Sequence, residues 1–96
     1  MSKAPEGEEL GNEVERALRD AKQARSGLRQ VLRRCTSPDE RIMIGRWMFL
    51  LSHHLVFLED IDKEEVAKAG KRYQAAVWSM VQTIQGSVDT IIQTWL

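Results

Sequence analysis

The stretch from Trp47 to Leu58 carries apolar side chains on almost every side of a helix. It follows Ser37-Pro38-Asp39-Glu40, a typical helix start with a capping serine, a proline at the first helical position and a carboxylate that reaches back. This pattern predicts a helix from Pro38 to about Asp60. A helix that is apolar all round needs cover on all sides. We therefore expect it to be the central element, around which the other helices and, in an oligomer, a second chain pack.

The apolar residues of this helix form a broad arc and a separate line. The line consists of Ile42, Phe49 and Val56, which are seven residues apart and lie across a thin polar strip from the arc. Most of the large apolar residues are predicted to lie in the core. Phe49 and Val56 are predicted to face a partner, since aromatic residues are enriched in protein interfaces. The arc contains Met43, Ile44, Trp47, Met48, Leu50, Leu51, His54, Leu55, Phe57 and Leu58.

Before this helix, apolar residues recur in alternating steps of four and three from about residue 9 to Cys35-Thr36. This period predicts an amphipathic first helix with one narrow apolar stripe. Alanine dominates the middle of the stripe, so a neighbouring helix can approach closely there. Residues 1–8 are predicted to form a disordered tail, which leaves 9–96 as one helical domain. The stripe consists of Leu10, Val14, Ala17, Ala21, Ala24, Leu28 and Val31.

Asp62, with Glu65 three residues later, predicts the start of a third helix that continues to the C-terminus. Its apolar residues step by four and three, as in a coiled coil. Its outer face after Arg72 is small, polar and uncharged, which we explain by partial burial against another molecule. The apolar seam contains Val77, Val81, Ile84, Val88, Ile91 and Trp95, and the outer face contains Ser79, Gln82, Thr83, Gly86, Thr90 and Gln93.

The lengths of these helices predict that the third one extends beyond the others. At 1.5 Å per residue it would be about 50 Å long and the second helix about 33 Å, and short connections make successive helices antiparallel. Either the helix breaks at Gln85-Gly86-Ser87 and folds back, or another subunit covers its end. We favour the subunit, because one glycine costs a helix only about 1 kcal/mol. The residues expected to lack cover are Val88, Ile91, Ile92, Trp95 and Leu96.

Together these patterns predict an all-α protein, a three-helix antiparallel bundle with a long C-terminal helix that forms a homodimer or a higher oligomer. The predicted partner-binding residues are Phe49, Val56, Val88, Ile91, Trp95 and Leu96.

The charges of the chain balance, with 14 basic and 14 acidic residues, but their distribution is uneven. Between residues 16 and 34, seven residues are basic and one is acidic. Five of the basic residues lie on one flank of the first helix and could follow a phosphate backbone, which makes RNA or DNA binding the alternative function. We favour a solvated face paired with carboxylates, because isolated basic faces are common and the net charge is zero. The five are Arg19, Lys22, Arg25, Arg29 and Arg33.

The sequence predicts no catalytic centre, metal site or cofactor. His53 and His54 are neighbours, whereas two ligands on one helix face need a spacing of three or four. We expect His54 to be a core residue with satisfied hydrogen bonds and His53 to be partly exposed. Cys35 has no histidine nearby in sequence as a base. The acidic cluster from Glu59 to Glu65 lacks the glycine-containing loop of calcium sites and fits helix capping.

The lone cysteine, the acidic and polar N-terminus and the shortness of the apolar runs bear on location. A membrane span needs roughly 20 apolar residues, and a single cysteine cannot form an internal disulfide. We therefore expect a soluble, cytoplasmic protein in a reducing compartment.

Between Ala17 and about Val81 the chain resembles the C-terminal half of the paramyxovirus accessory C proteins of the morbillivirus-like type. The resemblance rests on Ala17-Leu18-Arg19-Asp20 with Ala24 and Leu28, then on Ser37-Pro38-Asp39-Glu40, a strongly apolar helix, and a further helix bearing Trp78. It implies a small non-enzymatic viral protein that restrains the viral polymerase and blunts the interferon response through protein contacts. On both grounds we predict a non-enzymatic helical protein-interaction module.

Overall fold

The computed structural model describes residues 5–96, which form four α-helices and no β-strand. The helices are α1 (Gly7–Arg34), α2 (Pro38–Glu59), α3 (Lys63–Lys68) and α4 (Lys71–Trp95). The predicted all-α class is therefore confirmed. The tail predicted over residues 1–8 overlaps α1 at its last two residues, and residues 1–4 lie outside the described residues.

The turn between α1 and α2 is stabilised by a hydrogen bond at the start of α2 and by hydrogen bonds from α2 to the end of α1. The Ser37 hydroxyl accepts from the Glu40 backbone N–H at 3.5 Å, as the sequence predicts, and Pro38 takes the first position of α2. The Arg41 guanidinium donates to the carbonyl oxygens of Leu32 at 2.9 Å and Cys35 at 3.1 Å. The Leu32 carbonyl also accepts from the Cys35 backbone N–H at 3.3 Å, so Arg41 adds further donors to the carbonyls at the end of α1.

The prediction of one unbroken third helix is wrong. Asp62 does cap a helix, since its Oδ1 accepts from the backbone N–H of Glu64 at 2.8 Å and of Glu65 at 3.4 Å. That helix ends after six residues, because Ala69 and Gly70 adopt extended backbone with ψ of 160°. The Val66 carbonyl at the end of α3 accepts from the Ala69 backbone N–H at 3.3 Å and, at 3.0 Å, from the Gln74 side chain, which adds a second hydrogen bond there.

α1 is the helix against which the other three pack. Lys22 lies 3.6 Å from Glu59 and Arg25 donates to Ser52 at 3.4 Å, so residue numbers rise along α1 as they fall along α2 and the two helices are antiparallel. The Gln85 amide donates to Asp20 at 3.3 Å. Leu96 lies over Gly27 farther along α1, so α4 runs parallel to it. α2 and α4 approach each other at few points.

The core is built around the predicted alanine stripe of α1. Ala17, Ala21 and Ala24 are at most 2 % exposed, and their small side chains let α2 and α4 approach the α1 backbone closely. The larger core residues come from all four helices. They are Leu10, Val14, Leu28, Ile44, Leu51, Leu55, Leu58, Val66, Val77, Val81, Ile84, Val88 and Ile91.

The expectation that the second helix is central and fully covered is wrong for the single chain. The described residues measure 48 × 26 × 15 Å along their principal axes. Packed helices lie about 8–10 Å apart, so a shape only 15 Å thick cannot enclose one helix on all sides. The narrow stripe of α1 lies against the other helices, and α2 lies at the periphery with one side uncovered.

The expectation that the end of the last helix lacks cover is also wrong for its seam residues. Val88 and Ile91 are buried and Trp95 is half-buried, all within the same chain. The break at residues 69–70 shortens α4 to 25 residues, about 37 Å, so its end stays beside α1. The backbone remains helical through residues 85–87. Only Ile92 and Leu96 at this end keep substantial apolar exposure.

Candidate protein-interaction surface

Six large apolar side chains are exposed along α2, on the side turned away from the core. Their exposed fractions range from 36 % at Leu50 to 77 % at Phe49. Together with the two polar residues between them, Arg46 and His53, they form a continuous surface that we name the α2 outer face. The six apolar members are Ile42, Met43, Phe49, Leu50, Val56 and Phe57.

The α2 outer face consists of adjacent apolar pairs repeated every seven residues. Since seven residues make almost two helical turns, the pairs form two parallel lines about 22 Å long. Arg46 and His53, also seven apart, lie between the lines. The Phe49 ring stacks beside that of His53, with centroids 6.5 Å apart and planes 17° from parallel. A shallow pocket of ≈ 290 Å³ is lined by Met43, Arg46, Trp47 and Leu50.

This surface is large for a chain of 96 residues. The six exposed fractions amount to about three whole side chains, or roughly 500–600 Å² if each large side chain presents about 150–200 Å². The largest apolar patch on a typical monomer is about 300–600 Å² and is often functional. Complete burial of a large apolar side chain contributes about 1.5–3 kcal/mol. Covering the exposed part of this face with a partner would therefore contribute about 5–10 kcal/mol of hydrophobic free energy.

The structure separates the predicted partner-binding residues into different places. Phe49 and Val56 belong to the α2 outer face, whereas Leu96 lies at the far end of α4 over Gly27. Val88 and Ile91 are 1 % and 0 % exposed, so a partner cannot reach them in this fold.

Of the six apolar residues of the α2 outer face, sequence reasoning named only Phe49 and Val56 as partner-binding. It placed Met43, Leu50 and Phe57 in the broad arc. The repeat of adjacent apolar pairs at 42–43, 49–50 and 56–57 is the signal that could have found the whole face. A repeat of seven keeps residues on one side of a helix, so the pairs must share a surface.

The basic flank of α1 is only partly available for another molecule. Lys22 pairs with Glu59 at 3.6 Å, Arg25 donates to Ser52 at 3.4 Å, and Arg19 lies 3.6 Å from Asp20. The remaining two residues of the flank, Arg29 and Arg33, are exposed and form no ion pair within residues 5–96.

The polar outer face of α4 is exposed to solvent in the single chain. The partial burial that its uncharged composition led us to expect is therefore not provided by this chain. Two hydroxyl groups of this face donate to backbone carbonyls one turn earlier, Thr83 to Ser79 and Thr90 to Gly86 at 3.0 Å each, and the nearby Ser87 donates to Thr83 at 3.2 Å. These hydroxyls are thus satisfied locally.

The histidines and the cysteine lie in structural settings. His54 is 9 % exposed, and burial together with the neighbouring His53 lowers its pKa from the ordinary 6.5. Its position in the core agrees with the prediction. Its Nδ1, however, has no hydrogen-bond partner among residues 5–96, so the expectation that its hydrogen bonds are satisfied is wrong for that atom. The Cys35 thiol lies 3.4 Å from the Glu40 carboxylate.

The described residues, 5–96, hold neither a clustered metal site nor a membrane-spanning helix. Within that range no group of three or more His, Cys, Asp or Glu side chains is arranged to hold a metal ion. None of the four helices, over the same residues, combines the length and apolarity that crossing a bilayer requires.

Comparison with known proteins gives no match for this chain, whether with family models, with curated proteins or with solved structures. The resemblance to the paramyxovirus C proteins therefore stays a prediction, and the α2 outer face is the feature on which a functional proposal rests.

Proposed function

We propose that this chain is a non-enzymatic helical protein-interaction module, a three-helix bundle with one additional short helix, that binds its partner through the α2 outer face. The observation that carries the proposal is the concentration of six exposed large apolar side chains on one side of one helix. A few residues at the desolvated centre of an interface supply most of the binding free energy in protein complexes, and aromatic residues, methionine and arginine are enriched at interfaces.

The arrangement of polar groups supports a protein partner and not a lipid surface. Arg46 and His53 lie between the two apolar lines, so their donors and acceptors can fix the register of a bound helix. Amphipathic helices that lie on membranes instead keep a strongly charged face opposite their apolar face and carry few polar groups within it. On α2 the side opposite the α2 outer face is the buried core, with Leu51 and Leu55.

The resemblance to the paramyxovirus C proteins adds a context to this proposal. It suggests a small cytoplasmic viral protein that regulates the viral polymerase and interferon signalling by binding other proteins. Such a role needs an accessible recognition surface and no reaction centre, and the α2 outer face is such a surface.

Site-directed photo-crosslinking tests the proposed function. A photoreactive phenylalanine derivative replaces Phe49 in one variant and Ile92 in a matched control, since Ile92 is 48 % exposed on α4. We expect protein adducts in cells from position 49 and few from position 92. Equal yields at both positions, or no protein adduct at position 49, would contradict the proposal.

The alternative function is binding to RNA or DNA by the basic flank of α1. Arg29 and Arg33 favour it, because both are exposed without a carboxylate partner among the described residues. A filter-binding titration with salt tests it, since each neutralised phosphate steepens the loss of affinity as salt rises. Arg25→Glu with Arg29→Glu should abolish such binding, and an unchanged affinity in this variant would exclude the flank.

A further inference from the structure

We propose that the α2 outer face binds a second copy of this chain, with the two α2 helices antiparallel about a two-fold axis that passes between Phe49 and Leu50. This inference rests on the proposed function, in that it names the partner of the same surface. It differs from the sequence-based expectation of a dimer through the C-terminal helix, because the seam of α4 is already buried within the chain.

The sequence of the α2 outer face is a palindrome of residue types. Its members are related symmetrically about position 49.5, so that Ile42 would lie at the level of Phe57 of the second copy and Met43 at the level of Val56 of the second copy. At the centre, Phe49 would lie at the level of Leu50 of the second copy. A two-fold interface requires a self-complementary surface of this kind. A shift by one heptad would leave one pair of apolar residues on each copy without a partner.

Arg46 and His53 decide between the antiparallel and the parallel arrangement. The same symmetry pairs Arg46 with His53 of the second copy, and a neutral imidazole can accept a hydrogen bond from a guanidinium. A parallel arrangement would instead set Arg46 against Arg46 of the second copy at the centre of the interface. Two opposed guanidinium groups are unfavourable there, because desolvation strengthens their repulsion.

The area is sufficient for a reversible dimer. Two faces of roughly 500–600 Å² each would bury about 1,000–1,200 Å² in total, near the lower end of specific protein interfaces. The side chains that flank the apolar lines would add to this area. Asp39 of each copy is exposed and would lie at the level of the exposed Asp60 of the second copy, at both ends of the helix pair. Because these carboxylates repel each other, they limit the interface to the segment between them.

Charge substitutions at positions 46 and 53 test the antiparallel register. The two positions on one helix are about 10.5 Å apart along its axis, so a strong coupling between them must arise between chains. His53→Glu would place a carboxylate opposite Arg46 of the second copy at two equivalent places. We expect this variant to tighten the dimer by roughly tenfold in sedimentation equilibrium.

Two double variants at positions 46 and 53 complete the test of the antiparallel register. Arg46→Glu combined with His53→Glu opposes like charges and should dissociate the dimer. Arg46→Glu combined with His53→Arg reverses the charge pair of the His53→Glu variant and should restore the dimer to at least the affinity of the unsubstituted chain. All these side chains are exposed in the single chain, so circular dichroism should show the same helicity in every variant. Weaker association of His53→Glu would overturn the antiparallel register.

The mass of the photo-crosslinked adduct separates this inference from the proposed function. An adduct at position 49 of about 22 kDa, twice the 11.0 kDa of the chain, supports the second copy. A chain that is monomeric at high micromolar concentration and crosslinks to a different protein overturns the inference and leaves the proposed function in place. A chain without any protein adduct overturns both.

Discussion

Leu51→Ala and Phe49→Ala form a pair of substitutions that tests the orientation of α2. The two residues are separated by one position, yet Leu51 is 0 % exposed and Phe49 is 77 % exposed. Both substitutions remove a large apolar side chain from the same helix. Their effects on the free energy of unfolding therefore differ mainly through burial, since alanine is the better helix former in both cases.

The expected magnitudes are far apart. Removing a fully buried leucine side chain costs about 2–5 kcal/mol, because its transfer free energy is lost and a cavity remains. In a domain of this size 1 kcal/mol corresponds to about 4–8 °C, so Leu51→Ala should lower Tm by roughly 8–40 °C. Phe49→Ala removes a side chain that is mostly in water and should change the stability by less than about 0.5 kcal/mol.

Urea unfolding followed by circular dichroism measures both values. The protein is kept at low micromolar concentration, because a dimer through the α2 outer face would add stability that depends on concentration. Leu55→Ala is a second buried control, since Leu55 is 3 % exposed. A loss at Phe49→Ala comparable to that at Leu51→Ala would show that α2 buries its other side, and the proposals built on its outer face would fail.

Further substitutions at four positions probe the helix interiors, the buried histidine and a cap. Gly45→Ala and Gly86→Ala should each raise the free energy of unfolding by about 0.5–1 kcal/mol, because an added Cβ meets no atom within 4 Å; a loss in urea unfolding would contradict this. Burial, and to a smaller degree the charge of His53, lowers the pKa of His54 below 6.5. Because the folded state favours the neutral imidazole, the stability that His54 contributes is complete above pH 6.5. It is lost as the pH falls below that value, by at most about 1.4 kcal/mol per pH unit. His54→Leu should flatten that part of the pH profile, and an unchanged slope in this variant would rule out His54 as its source. Asp62→Ala should cost about 0.5–2 kcal/mol, because two backbone N–H groups lose their acceptor; Asp62→Asn should retain most of the stability, and equal losses would argue against capping.

Local signals predicted the first two helices well. The Ser37-Pro38 start acts through atoms only three residues apart, so no distant contact is needed to place the beginning of α2. The alanine stripe of α1 likewise predicted a close approach of neighbouring helices, and Ala21 is fully buried. These features could be predicted because backbone geometry and side-chain size alone determine them.

The break at residues 69–70 could not be predicted in the same way. Lys63–Lys68 contains good helix formers, and neither Ala69 nor Gly70 forbids a helix, since both have negative φ. The segment changes direction where Val66 is buried and Gln74 hydrogen-bonds the end of α3. Such contacts join parts of the chain that local propensity does not consider.

The α2 outer face shows most clearly which features the sequence determines and which depend on tertiary contacts. The sequence by itself determined that α2 is a helix and that it carries more large apolar side chains than one side can hold. Because these side chains surround the helix, its pattern cannot say which side is buried. Only the tertiary structure decided this, by packing α1 against Leu51 and Leu55 and leaving Phe49 in water, since a helix of nearly equal hydrophobicity all round takes its orientation from the shape and charge of its neighbours.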